Sequence, residues 1–411
     1  MSPSDTLTAR ELKSRGGVVD DLLGFDRSAR AFLRTLHRLG PGAVGQAAGG
    51  PGSGRAEFLR RCAAVVAADG GVLAGEPPAD FFPQVIWYNP WAYAKHGNTL
   101  AGLVGGVARP AGAGPVLERA RDLTNTLLRM RFDGAAAEGL GAAFSPGEVD
   151  PVDRVRRGFA TLVEQVRGTG KGRLLILVPD LDQLTPPARY AFFDGLRLLL
   201  GGGADVAVVL ATSREAVASA YRVRDPGTLP EGGERVAAEL VDLPYNVPRV
   251  DIRRVALVFR RFLGGGEVQV RRALGEDAVS QLAEVMAWPA VGRPRALERL
   301  SARVQLLAEF LSVGGGGVVR LQAAQWAWVV ISECWPEFRR FVTRGGRARW
   351  EELRQVVVAR ARDELREPSE VDGWFDRDPD LAEFLGAHAA AFEAQADTLG
   401  WIEDTLVAAG L

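Results

Sequence analysis

Lysine, histidine and cysteine are scarce in this chain, and each shortage closes a route to function. Of 50 basic residues only Lys13, Lys95 and Lys171 are lysines. That arginine bias, with abundant Ala and Gly, is what a GC-rich bacterial genome encodes. His37, His96 and His388 are scattered, and Cys62 and Cys334 lie far apart. Neither residue type therefore offers metal-ligand spacing, a disulfide framework or the frame of a His-based triad, and unpaired cysteines fit a reducing cytoplasm. Acidic residues balance basic ones at 51 against 50, for a formal net charge of -1. No global field draws the protein to nucleic acid or to an anionic membrane. No window reaches the roughly 18 to 20 apolar residues of a membrane helix. The charges of "MSPSDTLTARELKSRGG" are followed by no apolar run of the signal-peptide kind. The expectation is a soluble, cytoplasmic protein.

What is present is material for a core: 411 residues, 47% of them hydrophobic, enough for two or three domains. A tail over 1–23 precedes an amphipathic helix in "FDRSARAFLRTLHRL", with Phe25, Ala29, Phe32, Leu33 and Leu36 near the 3.6 period. "GPGAVGQAAGGPGSG" holds a short strand, weakened by Gly42, Gly45 and Gln46, that leads into a glycine loop. The helix "RAEFLRRCAAVVAA" follows, then the strand Val85 to Tyr88, stopped by Pro90. "LLILV" and "VAVVLA" are continuous apolar runs, the mark of strands buried on both faces of a parallel sheet. These pieces predict an α/β fold with a parallel sheet over 24–242, in the strand, glycine loop, helix, strand order of a phosphate-binding domain, with a helical insertion at 97–150. Past "DLPYNVPRVD" strands cease, predicting a helical lid over 243–317, with "VGGGGVVR" as hinge or capping turn, and a helical C-terminal domain over 318–411. That domain carries Trp326, Trp328, Trp335, Trp350, Trp374 and Trp401, which read as core or as an interface.

The chemistry centres on the glycine loop. In the pattern G-x-x-x-x-G-K-[ST], glycines let backbone N–H groups point at phosphate oxygens and the next helix adds its positive end. Gly49 and Gly54 have that spacing, with Gly50, Gly52 and Ser53 between them. The two chemical positions are then Arg55 and Ala56 in place of lysine and a hydroxyl. Arg55 keeps the charge in a larger planar fork. Ala56 has no oxygen for magnesium, which weakens that ion without excluding it. A plain glycine-rich turn is the alternative. At the end of "LLILVPDLDQL" the metal-side position falls on Pro179, leaving Asp180 as candidate base, or as magnesium ligand with Asp182 under a one-residue shift; both also suit turns and caps. Thr212 is a candidate γ-phosphate sensor, with a helix N-cap by Ser213 as the alternative. Arg293 and Arg295, in "VGRPRALERL", can reach phosphate from the lid or belong to a solvated face.

Taken in order, these segments resemble the KAP family of P-loop NTPases, a branch of the STAND-like ATPases. The likeness runs through "DDLLGFDRSARAFLRTL", "GGPGSGRAEFL", "VIWYNPWAYAKHGN", "LVPDLDQL", "VDLPYNVP", "GRPRALERL" and "SECWPEF", from Asp20 to Phe341. The resemblance implies an ATP- or GTP-binding protein with magnesium. Departures fall on the chemistry, at Arg55, Ala56, Pro179 and Gln183. It therefore implies a soluble, degenerate member: a pseudo-NTPase scaffold or switch in a bacterial complex, with anti-phage defence among the roles of its soluble relatives. Protein partners would engage the Trp-rich helices, and oligomerisation stays open. The alternatives are an active ATPase switch using Arg55 and Asp180, and nucleic-acid binding through local Arg patches in "RRVALVFRRF" or "RRFVTRGGRAR".

Overall fold

The computed structural model describes residues 21, 23–50, 52–68, 81–94, 99–111, 114–132, 150–168, 172–222, 239–288, 291–313 and 318–394. Nearly all of the expected tail, much of the insertion, Pro51 of the glycine loop, the 314–317 glycines and Trp401 lie outside them. The chain divides into two compact units, Met1–Pro248 and Arg249–Leu411.

The first unit is built on a five-stranded sheet in the order β2-β3-β4-β1-β5. Its strands are β1 (Ala43–Ala48), β2 (Gln84–Trp87), β3 (Leu174–Val178), β4 (Val206–Ala211) and β5 (Leu243–Asn246). All pairings are parallel, so this part of the chain is an α/β fold. Every residue of β1, β3 and β4 is buried, which is why two of these strands read as unbroken apolar runs. β5 moves the expected boundary: "LPYN", placed at the start of the helical lid at 243, pairs with β1 at the sheet edge, where the exposed Pro244 removes no donor the sheet needs.

The two faces of the sheet are covered differently. Val44, Ile86, Ile176, Val208 and Leu210 share one core with Leu103 of helix Thr99–Ala108, Phe159 of helix Pro151–Arg167 and Phe192 and Phe193 of helix Pro186–Leu200. On the opposite face lie α1 (Asp26–Arg38) and α2 (Arg55–Ala68), which pack on each other and on β1. Small residues, Ala43, Gly45 and Ala47, make room there for a cluster of Phe25, Phe32, Phe58 and Tyr245. The entry segment is locked to α2 by charge as well: Asp21 accepts the N–H groups of Phe25 and Asp26, and the buried Arg61 donates to Asp26 at 2.7 Å.

A Cβ at Gly45 would lie 2.6 Å from Phe32 Cζ, and that ring is wedged against Phe58 and Tyr245. Gly45→Ala is therefore expected to destabilise the first unit by about 1–3 kcal/mol. A lower denaturant midpoint checks this, and an unchanged midpoint contradicts it.

Among the second unit's described residues the regular elements are all helices. Helix Ala278–Met286 packs on Ala323–Cys334, and Arg299 and Arg303 of helix Pro294–Val313 both pair with Glu333, whose side chain is 5% exposed. The segments expected to separate as lid and C-terminal domain thus share one core. Trp326, Trp328 and Trp350 fill it, the last two edge to face at 4.8 Å. These three rings are turned inward, so for them the reading as core holds. Among the described residues no helix is long and apolar enough to cross a membrane.

Candidate functional site

Three connections meet beyond the carboxyl ends of the strands. The chain leaves β1 on the α1–α2 face, whereas the helices after β2, β3 and β4 lie on the other. β1 and β4 are neighbours, so the direction of winding reverses between them. In open parallel sheets such a switch point is a crevice where ligands bind.

The glycine loop leaves β1 at this crevice and opens α2, a helix of 14 residues. Gly52 and Gly54 adopt φ of 77° and 89°, conformations that side-chain-bearing residues rarely take. A Cβ on Gly49 would stand 2.4 Å from Ser53 Oγ, so that hydroxyl is folded into the loop over bare backbone. Ser53 is 8% exposed, and its hydroxyl finds no hydrogen-bond partner among the described residues. A buried hydroxyl without a partner among these residues has a hydrogen bond to give to an oxygen entering the loop.

Arg55 is the first residue of α2, and its Nη1 donates to Asp182 Oδ2 at 2.6 Å. The exposures are 13% and 25%, so the pair is partly withdrawn from water. Asp182 sits in a 3-10 turn, Leu181–Gln183, directly after β3. Its other oxygen accepts from the buried Thr212 hydroxyl at 2.7 Å and from Ser213 N–H at 3.1 Å. Thr212 follows β4 and also closes the sheet from behind, its carbonyl accepting from Gln46 Nε2 at 3.2 Å. Gln46, read as a weakness in β1, is in fact a buried tie between β1 and the end of β4.

The residues singled out in the sequence fall into three groups. Arg55, Asp182 and Thr212 come together. Ser213 caps helix Arg214–Arg222, its hydroxyl accepting from Ala216 N–H at 3.0 Å, while its own N–H serves Asp182. Asp180, on the same turn as Asp182, adopts a left-handed φ of 56° and is half-buried. It has no ion pair among the described residues. Arg293 and Arg295 are exposed and belong to the second unit, at the start of helix Pro294–Val313. In the basic run "RRFVTRGGRAR", Arg340 is taken by Glu337 and Arg349 by Glu352 and Glu370.

Sequence reasoning missed Arg189. This residue, 5% exposed, lies on helix Pro186–Leu200 with its guanidinium buried under the site. It donates to the carbonyls of Leu181, Asp182, Leu184 and Ala216 and to Ser219 Oγ. One cation thus fixes the turn carrying Asp182 to the helix that Ser213 caps. Burial pushes its pKa down, opposed by the charge of Asp182. A signal was available: Arg189 precedes Phe192 and Phe193 by three and four positions, on the apolar face of its helix.

A phosphate chain suits these donors: an unpartnered hydroxyl, backbone bared by glycines, a helix amino end and a guanidinium. Magnesium does not suit them. Ala56 supplies no oxygen, the Asp182 carboxylate is held by three donors, and among the described residues no three His, Cys, Asp or Glu side chains cluster as metal ligands. The thiols offer no nucleophile either, since burial pushes the Cys62 pKa up and that of Cys334 up to about 12. Compared with known proteins, the chain matches no family model and no curated sequence.

Proposed function

We propose that this protein is a degenerate KAP-type P-loop NTPase that holds a nucleoside triphosphate, ATP or GTP, by its phosphates and does not hydrolyse it. The observation that carries the reading is the buried, unpartnered Ser53 hydroxyl, folded into a glycine loop whose next helix begins with Arg55. Ser53 and the loop backbone would take the phosphate oxygens, and Arg55 would neutralise the outermost ones. Hydrolysis needs more: a charge-stabilising metal and a group that orients the attacking water. The residues that resemble those parts are Ala56, which has no hydroxyl, and Pro179, which has no acid. A scaffold or switch in a bacterial complex, with anti-phage defence as one setting, follows from the KAP resemblance. Its protein partners would meet outer surfaces rather than the buried tryptophan rings.

The test is phosphate release. Purified protein incubated with ATP or GTP and magnesium is expected to release no more phosphate than the nucleotide alone. Steady release that Asp180→Ala abolishes would overturn the pseudo-NTPase reading. It would identify an ATPase that uses the half-buried, left-handed Asp180 as its acid.

A further inference from the structure

Asp182 already makes, inside the protein, the contacts that a phosphoryl group would be expected to make. Its carboxylate accepts from a guanidinium, a hydroxyl and a backbone N–H, at 2.6, 2.7 and 3.1 Å. These are the donor types that bind phosphate oxygens. The turn that carries it is rigid, because Arg189 holds the carbonyls of Leu181, Asp182 and Leu184. On the glycine loop, just before Arg55, the situation is reversed: the Ser53 hydroxyl is buried and has no acceptor among the described residues. The site therefore holds one satisfied anion and one unsatisfied donor. The charges of Arg55 and Asp182 cancel, so the empty loop presents little net attraction for an anion.

We infer that Asp182 is a resident competitor for Arg55, standing in for phosphate in the empty protein and displaced when a phosphate chain enters the loop. This rests on the reading of the glycine loop as a phosphate site. It adds that binding there is an exchange at Arg55, one oxyanion leaving as another arrives. The exchange sets a threshold. A ligand must gain enough from Ser53 and the loop backbone to offset the loss of the Arg55–Asp182 pair, which favours di- and triphosphate chains over a single phosphate. The exchange also has a structural consequence. Asp182 keeps its bonds from the Thr212 hydroxyl and Ser213 N–H, so the exchange breaks the one side-chain tie between the β3 turn and the start of α2 while Arg189 still holds the turn to helix Arg214–Arg222.

The experiment uses the full chain and inorganic pyrophosphate, titrated by calorimetry in the presence of a chelator. Asp182→Asn keeps the shape of the side chain and removes its charge. It is expected to bind pyrophosphate roughly tenfold more tightly than wild type, the scale of one charge-assisted hydrogen bond released for the ligand. Equal or weaker binding by Asp182→Asn, with wild type binding measurably, overturns the competitor role and leaves the phosphate loop standing. No binding by either protein overturns both. Should the variant not fold, a crystal structure of wild type with pyrophosphate decides the matter. Pyrophosphate on Arg55, with Asp182 beyond hydrogen-bond distance, supports the exchange. Pyrophosphate in the loop with the ion pair intact contradicts it.

Discussion

Arg55→Ala is expected to lower the affinity for ATP by about 10- to 100-fold. Among the described residues, Arg55 supplies the side-chain cation paired with the Asp182 carboxylate, by a 2.6 Å contact from a guanidinium that is only 13% exposed. A hydrogen bond to a charged group contributes about 1.5–3 kcal/mol, and each 1.4 kcal/mol is a factor of ten. The variant loses that contact and leaves Asp182 as an uncompensated negative charge facing the incoming phosphates. The fold should survive, because Asp182 keeps the Thr212 hydroxyl and Ser213 N–H. Arg55→Lys is expected to retain most of the affinity, since Arg55 engages Asp182 through one nitrogen and a lysine can make a single contact of that kind. Calorimetry on the three proteins checks the order, and equal affinity of Arg55→Ala and wild type would remove Arg55 from the site.

The largest loss of stability is expected from Arg189→Ala. Four backbone carbonyls and one hydroxyl depend on this guanidinium, at distances from 2.7 to 3.2 Å. Each buried polar group left without a partner costs about 1–3 kcal/mol, although the space vacated can admit water to some of them. A net loss of about 3–5 kcal/mol is expected, and for a unit of this size a fall in Tm on the order of 10 °C. Arg197→Ala is the natural control. Arg197 pairs with Glu239 at 3.6 Å with both side chains about half exposed, and its removal should change stability by less than about 1 kcal/mol. Thermal melts of the two variants separate a buried organising cation from a solvated one. Similar melts would refute the assignment of Arg189 as the tie between the Asp182 turn and helix Arg214–Arg222.

The sheet was legible where burial is symmetric. "LLILV" and "VAVVLA" become β3 and β4, buried on both faces, and no polar position interrupts either run. β1 was harder, because its one polar residue, Gln46, is satisfied by the Thr212 carbonyl 166 positions away. β5 is hidden for the opposite reason, which is why it falls inside the expected lid: an edge strand needs only one partner and tolerates Pro244, so its sequence carries turn chemistry. The glycine loop was legible as spacing. The Arg55–Asp182 pair was not, since 127 residues separate its members and each had its own local explanation. Arg189 was hidden among 50 basic residues in a chain whose arginine content follows its codons. The tryptophans show the limit of composition, which reports aromatic rings but not the direction they face; Trp326 and Trp328 are 1% and 0% exposed.

The central claim is a phosphate site that works without magnesium, and its most direct test is a calorimetric titration of the wild-type chain with ATP, once with a chelator and once with excess magnesium. The account predicts saturable binding in both, with affinities within a few-fold of each other, because Ala56 brings no oxygen to the ion and the Asp182 carboxylate stays held by Thr212 and Ser213. Binding that requires magnesium would contradict it and would mean that Asp180 or Asp182 is recruited to the metal. Absence of binding in both titrations would mean that the Ser53 loop and Arg55 serve the fold alone.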